Sequence, residues 1–166
     1  AKIVEYPKPV VSFLQGFTMG GGVGIGCHGS HRIVGESSQI AMPECGIGLV
    51  PDVGGSLMLA LAPGRLGEYL GITGTRMNAD DAIFAGFADT YVPQLKWPTL
   101  IEALEQGGDI SSIAAAAMQP DQGPLRAQKD ERNQRCGGEG LGDVLTDVRG
   151  DGGALAVETL KKIERG

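Results

Sequence analysis

The chain has 166 residues and a formal net charge of −6, and 42% of its residues are hydrophobic. This length accommodates one compact domain rather than two. The negative charge argues against a nucleic-acid or anionic-membrane surface, because neutralising phosphates requires clustered lysine and arginine. The 28 glycines are more than twice the usual share, so they require a local explanation.

The cysteines indicate neither a disulfide framework nor a zinc site. Cys27, Cys45 and Cys136 are an odd number without CxxC spacing, and a reducing cytoplasm fits them best. No apolar run approaches the ~18 residues that a membrane span requires, and residues 1–16 lack the features of a signal peptide. Because the chain begins at Ala1 rather than Met, we expect either processing or a start inside a longer protein.

The first half of the chain predicts strands around one glycine-rich helix. Residues 9–15 form an apolar, β-favouring run. Residues 18–28 fit a closely packed helix, although their glycines disfavour a helix by propensity alone. Residues 31–35 and 39–42 predict two more short strands. Residues 43–55 contain two prolines and four glycines, and therefore predict a structured loop.

The second half predicts mainly helices, followed by a change in composition. The predicted elements are helical segments at 57–61 and 66–70, a helix at 79–85 capped by Asn78, a strand at 88–92, and helices at 98–106 and 110–118. We divide the chain into a core over residues 1–118, a polar glycine-rich segment over 119–153 and a C-terminal helix over 154–166. The middle segment buries little apolar surface, which predicts loop or poorly ordered chain.

Three consecutive glycines, Gly20, Gly21 and Gly22, begin the predicted glycine-rich helix. The run is neither a Walker loop nor a dinucleotide fingerprint, because the residues that would complete either motif are missing. Bare backbone at a helix start offers an N–H that a substrate carbonyl can approach closely, with the positive end of the helix behind it. The run therefore predicts either an oxyanion-binding amide or a close packing contact.

Two acids, Glu44 and Asp52, lie in the predicted loop among apolar residues. Carboxylates in such surroundings are either paired for structure or desolvated for proton transfer. Two carboxylates in one site could divide base and acid roles, or one could attack as a nucleophile while the other positions water. The residues alone leave these alternatives open.

The remaining reactive side chains predict structural roles. His28 and His31 have a spacing that could bind a metal on a helix, but the residues between them break a helix and no third ligand is near. Cys27 and Cys45 have no histidine partner at a recognisable spacing, so we expect both to pack in the core. No metal site is predicted.

Several stretches occur in an order and spacing typical of one protein family. They are KPVV at 8–11, GFTMGGGVG at 16–24, AMPECGIGLVPDVGG at 41–55, PGRLG at 63–67 and LGITG at 70–74. Through them, residues 5–93 resemble the 3-hydroxyisobutyryl-CoA hydrolase branch of the crotonase (enoyl-CoA hydratase/isomerase) superfamily. The resemblance implies an α/β fold, a crotonase-like superhelix of ββα turns with its N-terminal part missing, and a CoA thioester bound across it.

The resemblance also assigns roles to residues of the glycine run and the loop. It implies that the amide of Gly21 is one of two donors to the thioester carbonyl. The family's other donor lies on an upstream segment, and nothing before Lys8 supplies it. We therefore expect the isolated chain to be a poor enzyme. The expected substrate-binding residues are Met19, Gly20, Gly22 and Gly54.

Two positions distinguish the branches of the superfamily. Hydratases share the glutamate that matches Glu44, but they carry a further catalytic Glu at the position where this chain has Gly24. Asp52 stands where hydratases usually have a small residue and the hydrolases have an acid. The resemblance thus implies hydrolysis of 3-hydroxyisobutyryl-CoA in valine breakdown, with Glu44 as nucleophile or general base and Asp52 orienting the substrate hydroxyl or water. The alternatives are an enoyl-CoA hydratase/isomerase and a catalytically silent subunit that binds acyl-CoA or another protomer.

The resemblance implies an acyl-CoA as the partner, with no metal or redox cofactor and with CoA entering as part of the substrate. Relatives in the superfamily commonly form trimers or hexamers, whereas members of the hydrolase branch vary, so the resemblance is compatible with a homo-oligomer. The expected location is the cytoplasm in a bacterium or the mitochondrial matrix in a eukaryote.

Overall fold

The computed structural model describes residues 2–127, which form an α/β fold of short strands and helices. The strands are β1 Val11–Leu14, β2 Phe17–Met19, β3 His31–Val34, β4 Gln39–Ala41 and β5 Thr90–Tyr91. The α-helices are α1 Gly21–Gly26, α2 Gly55–Leu61, α3 Leu66–Thr73, α4 Ala79–Phe84, α5 Trp97–Gly107, α6 Ser111–Ala116 and α7 Pro124–Ala127. Single 3₁₀ turns lie at Glu44–Ile47 and Gln94–Lys96.

The strands form two parallel sheets in which no strand pairs with its immediate neighbour in the chain. One sheet has the order β1-β3-β5 and the other pairs β2 with β4. Val11 lies opposite His31, and Phe17 lies opposite Gln39. Because each strand pairs with the corresponding strand of the next ββα unit, the chain winds as a superhelix. Gly16, with a φ of 60°, allows the sharp corner between β1 and β2.

Apolar side chains fill the interior of this superhelix in two clusters. The larger cluster joins the strands to α1, α2, α3 and α4, and includes the fully buried Val23, Ile40, Met42, Leu66 and Phe87. The smaller cluster joins β3 to α5 and α6; its buried members are Ile33, Val92, Trp97, Leu100 and Ile113. Burial of these side chains is the main stabilising term of the fold, at roughly 25 cal/mol per Å² of apolar surface.

Helix α7 is anchored to α4 by two buried aspartates. Asp81 Oδ1 accepts hydrogen bonds from the backbone amides of Leu125 and Arg126 at 3.0 and 3.1 Å, and so caps the start of α7 from another element. Asp80 accepts from the Gly123 amide at 2.8 Å and pairs with the Arg126 guanidinium. Residues 124–127 are therefore helical, where loop was predicted.

Most predicted elements are confirmed; the strands are shorter than predicted, whereas α2, α3 and α5 are longer. The predicted helix over 18–28 is wrong at both ends. Residues 17–19 form β2, because they pair with residues 39–41, and the helix itself covers only Gly21–Gly26. Most of the 119–153 segment and the helix predicted over 154–166 lie outside the described residues. Within residues 2–127, every helix is too short or too polar to cross a membrane.

Candidate functional site

Glu44 and the glycine run meet at one edge of the β2–β4 sheet. Met19 ends β2 directly opposite Ala41 of β4, so the segments that follow both strands leave the sheet at the same edge. Gly20 is then the N-cap residue of α1, and Glu44 begins a 3₁₀ turn. A Cβ added to Gly20 would lie only 2.9 Å from Oε1 of Glu44, and Gly20 has a φ of 49°. Only glycine fits this contact without strain.

The side chain of Glu44 is buried beside the glycine run. The residue is 6% exposed. Among the described residues, no hydrogen bond reaches Oε2. Leaving a charged acceptor buried and unsatisfied is unfavourable by about 1–3 kcal/mol or more, and such groups are concentrated at functional sites. Glu44 is therefore available to a ligand rather than committed to the fold.

Gly21 and Gly22, at the start of α1, are exposed. The amides of Val23 and Gly24 both donate to the carbonyl of Gly20, at 2.9 and 3.2 Å. The amides of Gly21 and Gly22 come before these bonds and have no partner within the helix. A Cβ added to Gly21 would meet no atom within 4 Å. Because α1 has six residues, the exposed N–H groups themselves, rather than a long helix dipole, are what a substrate oxygen could bind.

Asp52 lies on an exposed turn whose backbone is strained. The amide of Gly55 donates to the carbonyl of Asp52 at 2.7 Å, which closes a four-residue turn. Both central residues have positive φ, 47° at Val53 and 83° at Gly54, as in a type I′ turn. A β-branched residue is rare in this conformation, since its side chain crowds the backbone.

This turn, residues 52–55 and hereafter the Asp52 turn, packs on helix α1. A Cβ added to Gly24 would lie 2.6 Å from the Cβ of Val53. Past the end of α1, His28 Nε2 is 3.0 Å from the carbonyl oxygen of Val53. A Cβ added to Gly54 would lie 2.5 Å from that same nitrogen. The structure thus places Gly54, an expected substrate-binding residue, against a histidine ring.

Helix α1 is therefore the element that contacts both Glu44 and the Asp52 turn and sets their relative positions. Its first end touches Glu44 through Gly20, and its middle touches the Asp52 turn through Gly24. Within residues 2–127, no hydrogen bond or ion pair joins Glu44 to Asp52 directly. The sequence pattern predicts a structural or surface role for His28 and assigns no site role to Val53. Their contact joins residues 25 positions apart, which no local pattern encodes.

Other reactive groups are engaged in the fold. Burial, opposed by the positive charge of Arg32, raises the pKa of the Cys27 thiol to about 12. This keeps the thiol neutral, in agreement with a core role. Cys45, next to Glu44 in the chain, is half-buried rather than in the core as expected. No cluster of three or more potential metal-binding side chains occurs between residues 2 and 127.

Comparison with known families and sequences gives a consistent result. A family model described as enoyl-CoA hydratase/isomerase matches residues 1–166. The 3-hydroxyisobutyryl-CoA hydrolase of Xenopus tropicalis, named as mitochondrial, is 35% identical over 97% of the chain and 45% of its own length. The Mus musculus enzyme of the same name is 34% identical over 98% of the chain and 45% of its own length. The chain thus spans slightly less than half the length of these relatives.

Comparison with solved structures confirms the crotonase-like α/β fold. An enoyl-CoA hydratase from Rhodobacter sphaeroides 2.4.1 superimposes with a TM-score of 0.92 and 52% identity, over 99% of this chain and 48% of that one. A carnitinyl-CoA dehydratase from Mycobacterium thermoresistibile gives a TM-score of 0.94 and 40% identity, over the same shares of the two chains. The similarity extends well past residue 93, where the recognisable motifs end.

Proposed function

Since the chain belongs to the enoyl-CoA hydratase/isomerase family, we propose that it forms part of an acyl-CoA thioester hydrolase that acts on 3-hydroxyisobutyryl-CoA, a step of valine breakdown. The names of the Xenopus and Mus relatives support this substrate. The observation that carries the proposal is the buried Glu44 carboxylate, with one oxygen unpartnered among the described residues, beside the exposed glycine run.

In the proposed reaction, the amide of Gly21 donates to the thioester oxygen as negative charge develops on it. One such donor commonly contributes about 3 kcal/mol to lowering the barrier. Glu44 acts on the carbonyl carbon in one of two ways: its carboxylate attacks to form a mixed anhydride that water then hydrolyses, or it takes a proton from the attacking water. In both, the C–S bond breaks, CoA leaves as the thiol and the acyl group leaves as the free acid.

The contact between Gly24 and Val53 favours hydrolysis over hydration. The resemblance puts a second catalytic Glu of the hydratases at position 24. A side chain there would collide with Val53 at 2.6 Å while the Asp52 turn keeps this conformation. The Val53 side chain of the Asp52 turn thus occupies the position that a Cβ at residue 24 would need. In the proposed reaction Asp52 is the second acid and orients the substrate hydroxyl or water.

Release of free thiol from 3-hydroxyisobutyryl-CoA tests the proposal. We expect the purified protein to release thiol slowly, since only one of the two expected oxyanion donors is on this chain. Glu44→Gln should lower that kcat by at least about 100-fold, because the amide can neither attack nor accept a proton. Glu105→Gln is the matched control, since Glu105 is exposed on α5. Equal thiol release by the wild type and Glu44→Gln would remove Glu44 from the chemistry.

A hydratase or dehydratase is the second candidate, because the solved relatives of 52% and 40% identity carry those names. Loss of enoyl absorbance from an enoyl-CoA without free thiol would support it. A protein that binds acyl-CoA but performs neither reaction would be the catalytically silent subunit.

A further inference from the structure

His28, just beyond the C-terminal end of α1, contacts both central residues of the Asp52 turn. Its Nε2 lies 3.0 Å from the carbonyl oxygen of Val53. A carbonyl oxygen can only accept, so Nε2 carries the hydrogen and donates it. The same nitrogen would be 2.5 Å from a Cβ at Gly54. The imidazole therefore packs directly against the backbone of the turn.

The turn requires support of this kind because its first central residue is β-branched. Val53 has a φ of 47°, and a non-glycine residue keeps such a conformation only where its surroundings hold it. The hydrogen bond between Gly55 and Asp52 closes the turn from within. From outside, Gly24 accommodates the Val53 side chain by having none of its own, and His28 binds the Val53 carbonyl.

We propose that His28 is a positioning residue for the hydrolysis: its hydrogen bond to Val53 holds the Asp52 turn against α1 and so holds Asp52 in place relative to Gly21. Gly21 and Gly24 are one turn apart on the same face of α1, so a turn anchored at Gly24 is also fixed relative to the Gly21 amide. The part of this inference that concerns catalysis rests on the proposed function. The structural part, that His28 stabilises the position of the Asp52 turn, is independent of the proposed function.

Hydrogen exchange of the Gly55 amide, measured by NMR, tests the hold directly. We expect exchange about fivefold faster in His28→Ala, the factor that loss of one hydrogen bond to the turn produces. His31→Ala is the matched control, because the ring of His31 pairs with the Ser30 hydroxyl instead, and it should exchange as the wild type does. An unchanged rate in His28→Ala would overturn the proposal whatever the protein catalyses.

Kinetics test the positioning role. His28→Ala should lower kcat for thiol release by about 10- to 100-fold, as a displaced group does, with KM changed by less than about twofold. His28→Gln keeps an N–H donor and should recover part of the loss. In the Asp52→Asn background, His28→Ala should lower kcat only slightly further, because both substitutions remove the contribution of a correctly placed Asp52. Fully additive losses of kcat would show that His28 does not act through Asp52. A wild type that releases no thiol would contradict the proposed function. In that case the exchange rate of the Gly55 amide still tests whether His28 fixes the Asp52 turn on α1.

Discussion

Two glycines of the same helix should respond in opposite ways to an added methyl group. Replacing a helical glycine with alanine stabilises by up to about 1 kcal/mol, because alanine loses less backbone entropy on folding. At Gly21 the methyl would enter open space, so Gly21→Ala should leave the stability unchanged or raise it slightly. At Gly24 the methyl would lie 2.6 Å from the Cβ of Val53 and 3.0 Å from its Cγ2. Overpacking of this kind costs about 1–3 kcal/mol, which exceeds the helical gain.

The net destabilisation expected for Gly24→Ala is about 1 kcal/mol, or about 2–4 °C in Tm for a chain of this size. Thermal unfolding followed by circular dichroism measures both variants. In the same preparations, Gly21→Ala should lose thiol release from the acyl-CoA, because its methyl narrows the approach to the amide. A fall in Tm for Gly21→Ala equal to that of Gly24→Ala would refute the assignment of open space at Gly21.

Three further outcomes are expected. Glu44→Gln should keep or raise the Tm, since it removes a buried carboxylate with one oxygen unpartnered among the described residues; a clear fall would contradict this. Burial acts to raise the pKa of Asp89, but hydrogen bonds and charge from Arg32 outweigh it and hold the pKa below its usual value. The Arg32–Asp89 pair therefore stabilises the fold fully at pH values above the unfolded pKa of about 4, and this stabilisation is lost as the pH falls through the lower folded pKa. The urea midpoints of the wild type and Asp89→Asn should converge as the pH is lowered. A difference in midpoint that stays constant with pH would contradict this expectation. Finally, with its pKa raised to about 12, Cys27 should resist iodoacetamide at pH 8 until the protein is denatured, as read by peptide mass spectrometry.

Local patterns were sufficient to predict most elements of the fold. The strands near residues 11–14 and 31–34 and the helix at 79–84 follow from short apolar runs, turn residues and an asparagine cap that act within a few residues. Asn78 accepts from the Asp81 amide as the cap predicts. Strand β2 could not be predicted in this way. Phe17 and Thr18 are strand-favouring residues, but a run of three is too short to identify a strand by its pattern, and its pairing with β4 decides the outcome.

The candidate site divides in the same way. Glycines in a row and acids in an apolar loop are visible in the sequence, so Gly21, Glu44 and Asp52 could be proposed before any coordinates. The tertiary structure decided that Gly20 lies against Glu44 and that Val53 takes the space beside Gly24. These contacts join residues more than 20 positions apart, and they depend on sheet register and on one strained turn. Propensity and spacing describe only neighbours in the chain, whereas the site is built from the contacts between turns of the superhelix.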